Sequence, residues 1–224
     1  MNIAILGNGK MGKQISKLAK KKGHTITCTA DSKNPITSLD IRNAEVAIEF
    51  STPASAFQNI AHAINNGIPV VSGTTGWLDR LEEITDLCIK KNGAFIYASN
   101  FSLGVNMFFE LNKKLANLMQ NQDYETKIHE IHHTQKIDAP SGTAITLQKE
   151  IGNILNNQPP ISSERVKNVS GVHQITYSSI IDEIKIRHTA HNRDGFAIGA
   201  IIAAEWIINK NGIYSMQDVL KNKI

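Results

Sequence analysis

The stretch His129-Glu130-Ile131-His132-His133-Thr134-Gln135-Lys136 gathers three histidines and a lysine into one short segment. A histidine exchanges a proton near neutral pH, and a lysine supplies a fixed positive charge or a proton. Three chemistries compete for such a cluster. Histidines bind metals, but no nearby cysteine and no helical His-Glu-x-x-His pattern completes a ligand set here. Histidines also occupy surfaces with no task beyond solvation. The third reading is acid/base work beside an anion, and the residues that follow favour it. Pro140 ends the next loop, Ser141 is a good helix N-cap, and Gly142 and Thr143 then offer backbone N–H groups at a helix start. A small anionic molecule suits that combination.

A second constellation lies at the other end of the chain. Gly7-Asn8-Gly9-Lys10-Met11-Gly12 is a complete G-x-G-x-x-G placed directly after one short apolar run. In that context the first glycine permits a tight turn, the second lets a pyrophosphate reach the backbone, and the third allows a helix to pack closely on its strand. Asp31 follows at the distance where an acid binds the ribose hydroxyls of a dinucleotide. A carboxylate there favours NADH, whereas Ser32 and Lys33 offset its repulsion of a 2′-phosphate, so NADH or NADPH both remain open. A further turn, Ser72-Gly73-Thr74-Thr75-Gly76, is either a second ligand-facing loop or a simple turn.

These residues need elements to hold them. Residues 3–6, 25–29, 46–50, 69–72 and 94–98 are short, mostly apolar runs, as buried parallel strands are. Residues 11–22, 53–66 and 78–91 between them have helical spacing, so βαβ units and a doubly wound sheet are expected. Beyond Asn100 the pattern changes to a helix over 106–121, a strand over 126–132, a polar loop over 134–140 and a helix over 141–156. Residues 172–179 and 183–189 alternate apolar and polar, which predicts an antiparallel pair. Helices over 196–209 and 215–220 close the chain. The expected fold is α/β: a Rossmann-type doubly wound parallel sheet with a second, smaller α+β substrate domain.

Composition agrees with a globular enzyme. The 224 residues are 41% hydrophobic and 20% charged, with a formal net charge of +4. Lys20-Lys21-Lys22 sits where a helix ends and where cations favour the dipole, so no nucleic-acid partner is expected. Two cysteines make no disulfide framework. No apolar run approaches the roughly 20 residues that span a bilayer, and the start has no secretory pattern, so the expected setting is cytoplasmic, without membrane contact.

The chain resembles the dihydrodipicolinate reductase (4-hydroxy-tetrahydrodipicolinate reductase) family, in a short form. The resemblance spans nearly all of it. It is carried by the 7–12 loop, Glu49-Phe50-Ser51-Thr52-Pro53, Gly73-Thr74-Thr75-Gly76, Ser99-Asn100-Phe101-Ser102-Leu103-Gly104-Val105-Asn106 and His132-His133 with Lys136-Ile137-Asp138-Ala139-Pro140-Ser141-Gly142-Thr143-Ala144. It implies NADH- or NADPH-dependent reduction of a small dicarboxylate ring in lysine and diaminopimelate biosynthesis, by a homo-oligomer, tetramer or dimer. It also implies that His132 and Lys136 are catalytic and that His133, Gly142 and Thr143 bind substrate. Gly7, Asn8, Gly9, Lys10, Met11, Gly12, Asp31, Gly73, Thr74, Thr75, Ser99, Asn100, Phe101 and Ser102 would bind the cofactor, with no metal. The implied domains are 1–103 plus 194–224 for the dinucleotide and 104–193 for substrate and oligomerisation. The chain departs from the longer members around Glu164-Arg165-Val166-Lys167-Asn168-Val169, where the substrate domain is shortened, and at Ser32, where an arginine is usual. Another two-domain Rossmann dehydrogenase acting on an amino acid or sugar would not need the 136–144 string, and a nucleotide-sensing regulator would keep the glycine loop but have no reason to carry His132, His133 and Lys136 together.

Overall fold

The computed structural model describes residues 1–221 and divides the chain into two compact units. The first comprises Met1–Ser102 with the segment from Phe196 on, the second Leu103–Gly195.

In the first unit, strands β1 (Asn2–Leu6), β2 (Thr25–Ala30), β3 (Val46–Glu49), β4 (Val70–Ser72) and β5 (Ala94–Tyr97) alternate with helices α1 (Lys10–Lys21), α2 (Pro53–Asn65) and α3 (Leu81–Lys90). Strands β1, β3, β4 and β5 are almost wholly buried, as a sheet covered on both faces requires, whereas in the edge strand β2 only Ala30 is. The second unit supplies α4 (Leu103–Met119), β6 (Glu125–His132), α5 (Gly142–Leu155), β7 (Ile161–Arg165), β8 (Gly171–Ser178) and β9 (Glu183–Ala190). The chain ends with α6 (Asp194–Ile207), β10 (Gly212–Tyr214) and α7 (Met216–Lys221).

The first sheet is six-stranded, in the order β10-β5-β4-β3-β1-β2, with every pair parallel. The direction of winding reverses at β1, the switch point where doubly wound sheets bind ligands. Register matters here. Leu6 lies beside both Ala30 and Glu49, Glu49 beside Ser72, and Ser72 beside Tyr97. The strand ends are therefore level, and the loops that follow them open on a single edge of the sheet.

The second sheet has the order β7-β6-β8-β9, with β6 and β7 parallel and the other pairs antiparallel. One face of it is apolar for most of its length. Ile128 and Ile175 are paired there and pack with Tyr177, Phe108, Leu147 and Ile151. Truncating a buried isoleucine such as Ile128 to alanine costs about 2–5 kcal/mol. The same face turns polar toward the end of β6, because the side-chain period of a strand is two. Glu130 follows Ile128 on it, and His132 follows Glu130.

The structure corrects the sequence reading in several places. Residues 161–165 form β7, whose Ile-Ser-Ser-Glu-Arg has no apolar alternation; backbone pairing to β6 makes it a strand. Strand β10 was not expected either, being three residues that add to β5. The helix expected over 78–91 begins as a separate 3₁₀ turn, Leu78–Arg80. Helix α4 starts at Leu103, ahead of the expected 106, and stops at Met119 before Asn121 takes a left-handed conformation with φ 61°.

Candidate active site

The loop after β1 crowds the backbone as only glycines allow. A Cβ on Gly7, whose φ is +118°, would lie 2.1 Å from the Phe50 carbonyl oxygen, and one on Gly12 would lie 1.8 Å from that of Gly7. Gly9 is the N-cap of α1 and brings no side-chain cap; the point its Cβ would occupy has no atom within 4 Å. The first turn of α1 therefore presents its N–H groups to open space, a cradle suited to a diphosphate. A cavity of about 670 Å³ lies here, lined among others by Gly7, Asn8, Gly9, Asp31 and Lys33. Asp31 is held in place: Asn8 Nδ2 donates to one oxygen at 3.2 Å, and the N–H groups of Lys33 and Asn34 donate to the other at 2.9 Å each. Backbone N–H from Asn34, then Asn8 and Lys33, keep its carboxyl below the usual range. These residues fit a nicotinamide dinucleotide.

A neighbouring cavity of about 430 Å³ joins Gly9, Lys10 and Met11 to Gly73, Thr74 and Thr75. Its walls rest on Glu49, which is fully buried. The Glu49 carboxylate accepts from Ser51 N at 3.0 Å, from Ser72 Oγ at 2.7 Å, from Thr74 Oγ1 at 2.9 Å and from Ser51 Oγ. Burial pushes its pKa up and these donors oppose it.

In the second unit the sheet register builds a row across three strands. Ser163 of β7 lies beside Glu130 of β6, and Glu130 beside His173 of β8. Arg165 lies beside His132. Glu130 is fully buried, His132 7% exposed and His173 5% exposed. The His132 and His173 rings meet edge-on at 5.0 Å. Donor atoms of Glu130, His132 and His173 lie within 4.8 Å of one another. The carboxylate oxygens also accept hydrogen bonds from Ser141 and Ser163. Burial lowers the pKa of His132, Lys136 and Arg165 push the same way, and Glu130 and Asp138 pull back. Burial and the neighbouring His132 push His173 down to about 4, so it stays neutral at pH 7. Burial alone would raise Glu130; bonds from Ser141 and Ser163, with the nearby His132, hold it below the usual range.

Lys136 Nζ donates to both oxygens of Asp138, at 2.8 and 2.9 Å, and Arg165 donates to the carbonyls of Lys136 and Asp138, which pins the loop after β6. Ser141 caps α5, its Oγ accepting from Ala144 N at 3.2 Å. Gly142 begins that helix with open space beside it. His133 lines a separate cavity of about 410 Å³ with Thr134, Gln135, Lys167, Ser170 and Arg193. Lys167 and Arg193 give it cationic character suited to carboxylates.

The structure thus brings Gly7, Asn8, Gly9 and Asp31 into one cavity, and Lys10, Met11, Gly73, Thr74 and Thr75 with Gly9 into the next. Gly12 serves packing of α1 on the loop. Ser99, Asn100, Phe101 and Ser102 line neither cavity; Asn100 Oδ1 accepts from Ser102 N, and Phe101 is buried against Phe50. Sequence reasoning gave no role to Glu49, Glu130, Arg165, His173 or Arg193. A charged residue at a core-facing strand position is a signal that could have found Glu130.

Comparison with known proteins decides the family. The family models described as dihydrodipicolinate reductase N-terminus and C-terminus match residues 1–101 and 104–220. The chain belongs to the dihydrodipicolinate reductase family. Among its relatives, the 4-hydroxy-tetrahydrodipicolinate reductase of Christiangramia forsetii is 48% identical over 99% of this chain and 98% of its own. That of Alkaliphilus metalliredigens is 34% identical over 98% and 99%. In fold, this family member is similar to a dipicolinate-bound dihydrodipicolinate reductase from Paenisporosarcina, with a TM-score of 0.80 at 21% identity, covering 96% of this chain and 97% of that one. Aspartate dehydrogenase of Thermotoga maritima shares the architecture more loosely, with a TM-score of 0.53 at 12% identity over 96% and 99% of the two chains.

Proposed function

We propose that the chain is an NAD(P)H-dependent 4-hydroxy-tetrahydrodipicolinate reductase of lysine and diaminopimelate biosynthesis. The observation that carries this reading is the buried His132, set among Glu130, Lys136 and the start of α5, in a chain that also has a dinucleotide cradle at its first strand.

The 4-hydroxy ring loses its hydroxyl as water, which leaves a small ring bearing two carboxylates and a conjugated imine, the species that is reduced. When bound, the reduced nicotinamide supplies the hydride equivalent that the ring takes up at a conjugated carbon. His132 gives the proton that the resulting enamine carbon needs. Its lowered pKa makes the imidazolium, once formed, a stronger acid, and Lys136 is a positive charge beside it. The N–H groups of Gly142 and Thr143 and the cationic wall at His133, Lys167 and Arg193 hold carboxylates. Gly7, Gly9 and the first turn of α1 hold the diphosphate, Asp31 the adenosine ribose, and Gly73, Thr74 and Thr75 the nicotinamide end. Ser99, Asn100, Phe101 and Ser102 support that end through their backbone. By this reading Met1–Ser102 with the closing segment is the dinucleotide-binding part, and Leu103–Gly195 the substrate-binding and oligomerisation part.

Both NADH and NADPH serve, because Asp31 and Lys33 share one cavity. The enzyme works in the cytoplasm as a homo-oligomer. Among the described residues no helix is long and apolar enough to cross a membrane. The edge strand β9 and the turn before it leave Ile180, Ile181 and Ile184 exposed, the kind of surface that a second copy covers. A coupled assay tests the activity. The product of the preceding synthase is supplied, and NADH and NADPH oxidation are followed separately. Turnover dependent on that ring is expected; no turnover with either nucleotide overturns the reading.

A further inference from the structure

Glu130 is a fully buried carboxylate that the reaction as described does not use. It stands two residues before His132 on the same face of β6, and its Oε2 lies 3.5 Å from His132 Nδ1. That Nδ1 is buried and has no hydrogen-bond partner among the described residues. A separation of this size is common where a bond between catalytic groups tightens only on substrate binding. The other ring nitrogen, Nε2, faces Gly171, where an added Cβ would sit only 3.2 Å away. Glycine leaves that nitrogen uncovered.

The same carboxylate reaches the anion-binding helix. The N–H of Ser141, the N-cap of α5, donates to its two oxygens at 3.0 and 3.2 Å, and Ser141 Oγ donates to Oε2. Ser163 Oγ donates to Oε1 at 2.8 Å, and Arg165 approaches to 3.5 Å.

We propose that Glu130 is a positioning residue for the reductase reaction, holding His132 with a proton on Nδ1 so that Nε2 is the atom that delivers its proton, while clamping the first turn of α5 where substrate carboxylates bind. This rests on the reading of His132 as proton donor. A carboxylate behind an imidazole fixes the tautomer and stabilises the imidazolium form. One buried residue thereby links the proton donor to the anion site, and a displacement of either is felt by the other.

The other groups around the His132 ring do not substitute for it. Lys136 and Arg165 disfavour the imidazolium, as would a charge on His173, whose neighbour in the row is His188 of β9. Asp138 favours it but is exposed and already paired with Lys136. Removing the Glu130 charge therefore makes His132 release its proton at lower pH.

The test is E130Q, which keeps the shape. His132 is titrated by NMR in the ligand-free protein, and the pH profile of kcat is measured beside it. The His132 pKa is expected to fall by about one unit or more. The alkaline limb of kcat should move with it, and KM for the ring substrate should rise through the loosened α5. E130D retains the charge on a shorter arm. It should shift both readouts the same way by less, and it carries the test if E130Q does not fold. An E130Q protein that folds with the His132 titration and the kcat limb unmoved overturns the proposal, even if the wild type reduces the ring well. A wild type without turnover overturns the functional reading instead, and the NMR titration still decides whether Glu130 governs His132.

Discussion

Thr74 Oγ1 donates to the buried carboxylate of Glu49 at 2.9 Å, and it also accepts from the N–H of Ser51 at 2.8 Å. That pair joins the loop after β3 to the glycine turn after β4, two of the loops that open on one edge of the sheet. In E49Q one oxygen becomes an amide facing donors, which leaves buried groups unpaired. The expected cost is about 1–3 kcal/mol of stability, with weaker nucleotide binding. The cost should vary with pH. Burial raises the folded pKa of Glu49, so its contribution is fully present below the unfolded carboxyl value and is lost as pH rises through the folded one. The gap between wild type and E49Q in denaturant melts should narrow from pH 4 to pH 7. A gap that widens would mean that the four donors outweigh burial.

The Asp31 corner predicts dual cofactor use. The carboxylate repels a 2′-phosphate, and Lys33 on the same cavity wall offsets it. Dissociation constants for NADH and NADPH should differ by no more than about a hundredfold, some 2.7 kcal/mol. D31A should move the ratio toward NADPH. Titration calorimetry with both nucleotides checks this, and a larger wild-type preference would show one of the two charges to be dominant.

Assembly is tested by light scattering at micromolar concentration. Exposed Ile180 and Ile181 beside β9 call for a covering surface, so a dimer or tetramer is expected despite the shortened segment near Val166. A strict monomer would remove oligomerisation from the role given to residues 103–195.

The proposed chemistry separates three variants. H132Q should leave nucleotide affinity nearly intact and lower kcat by roughly 10²–10⁴-fold. K136A removes a charge that meets substrate and acts on His132, so kcat and KM should both suffer. T143V deletes only a hydroxyl and should mainly raise KM, by about 1–3 kcal/mol if that bond is buried. Steady-state kinetics beside nucleotide titration reads all three. Near wild-type kcat in H132Q would transfer the proton to Lys136 or His133.

Much of this protein was legible locally. Strands β1 to β5 are short apolar runs, and their helices have helical spacing, because both signals arise from neighbouring residues. The glycine loop was legible for the same reason: a turn, a close approach and a helix start lie within six consecutive residues of the chain. The 132–144 string likewise marked two histidines and a lysine ahead of a helix N-terminus, which Ser141 caps. What tertiary structure alone decided was partnership at a distance. Strand β7 has no pattern of its own and exists because β6 pairs with it. That pairing sets Ser163 and Arg165 beside Glu130 and His132, while β8 brings His173 from the other side. Glu49 likewise meets Thr74 only because β3 and β4 end level. A sequence records which residues are charged or apolar, but register between strands is set by hydrogen bonds spanning the whole sheet, and register determined which groups surround His132.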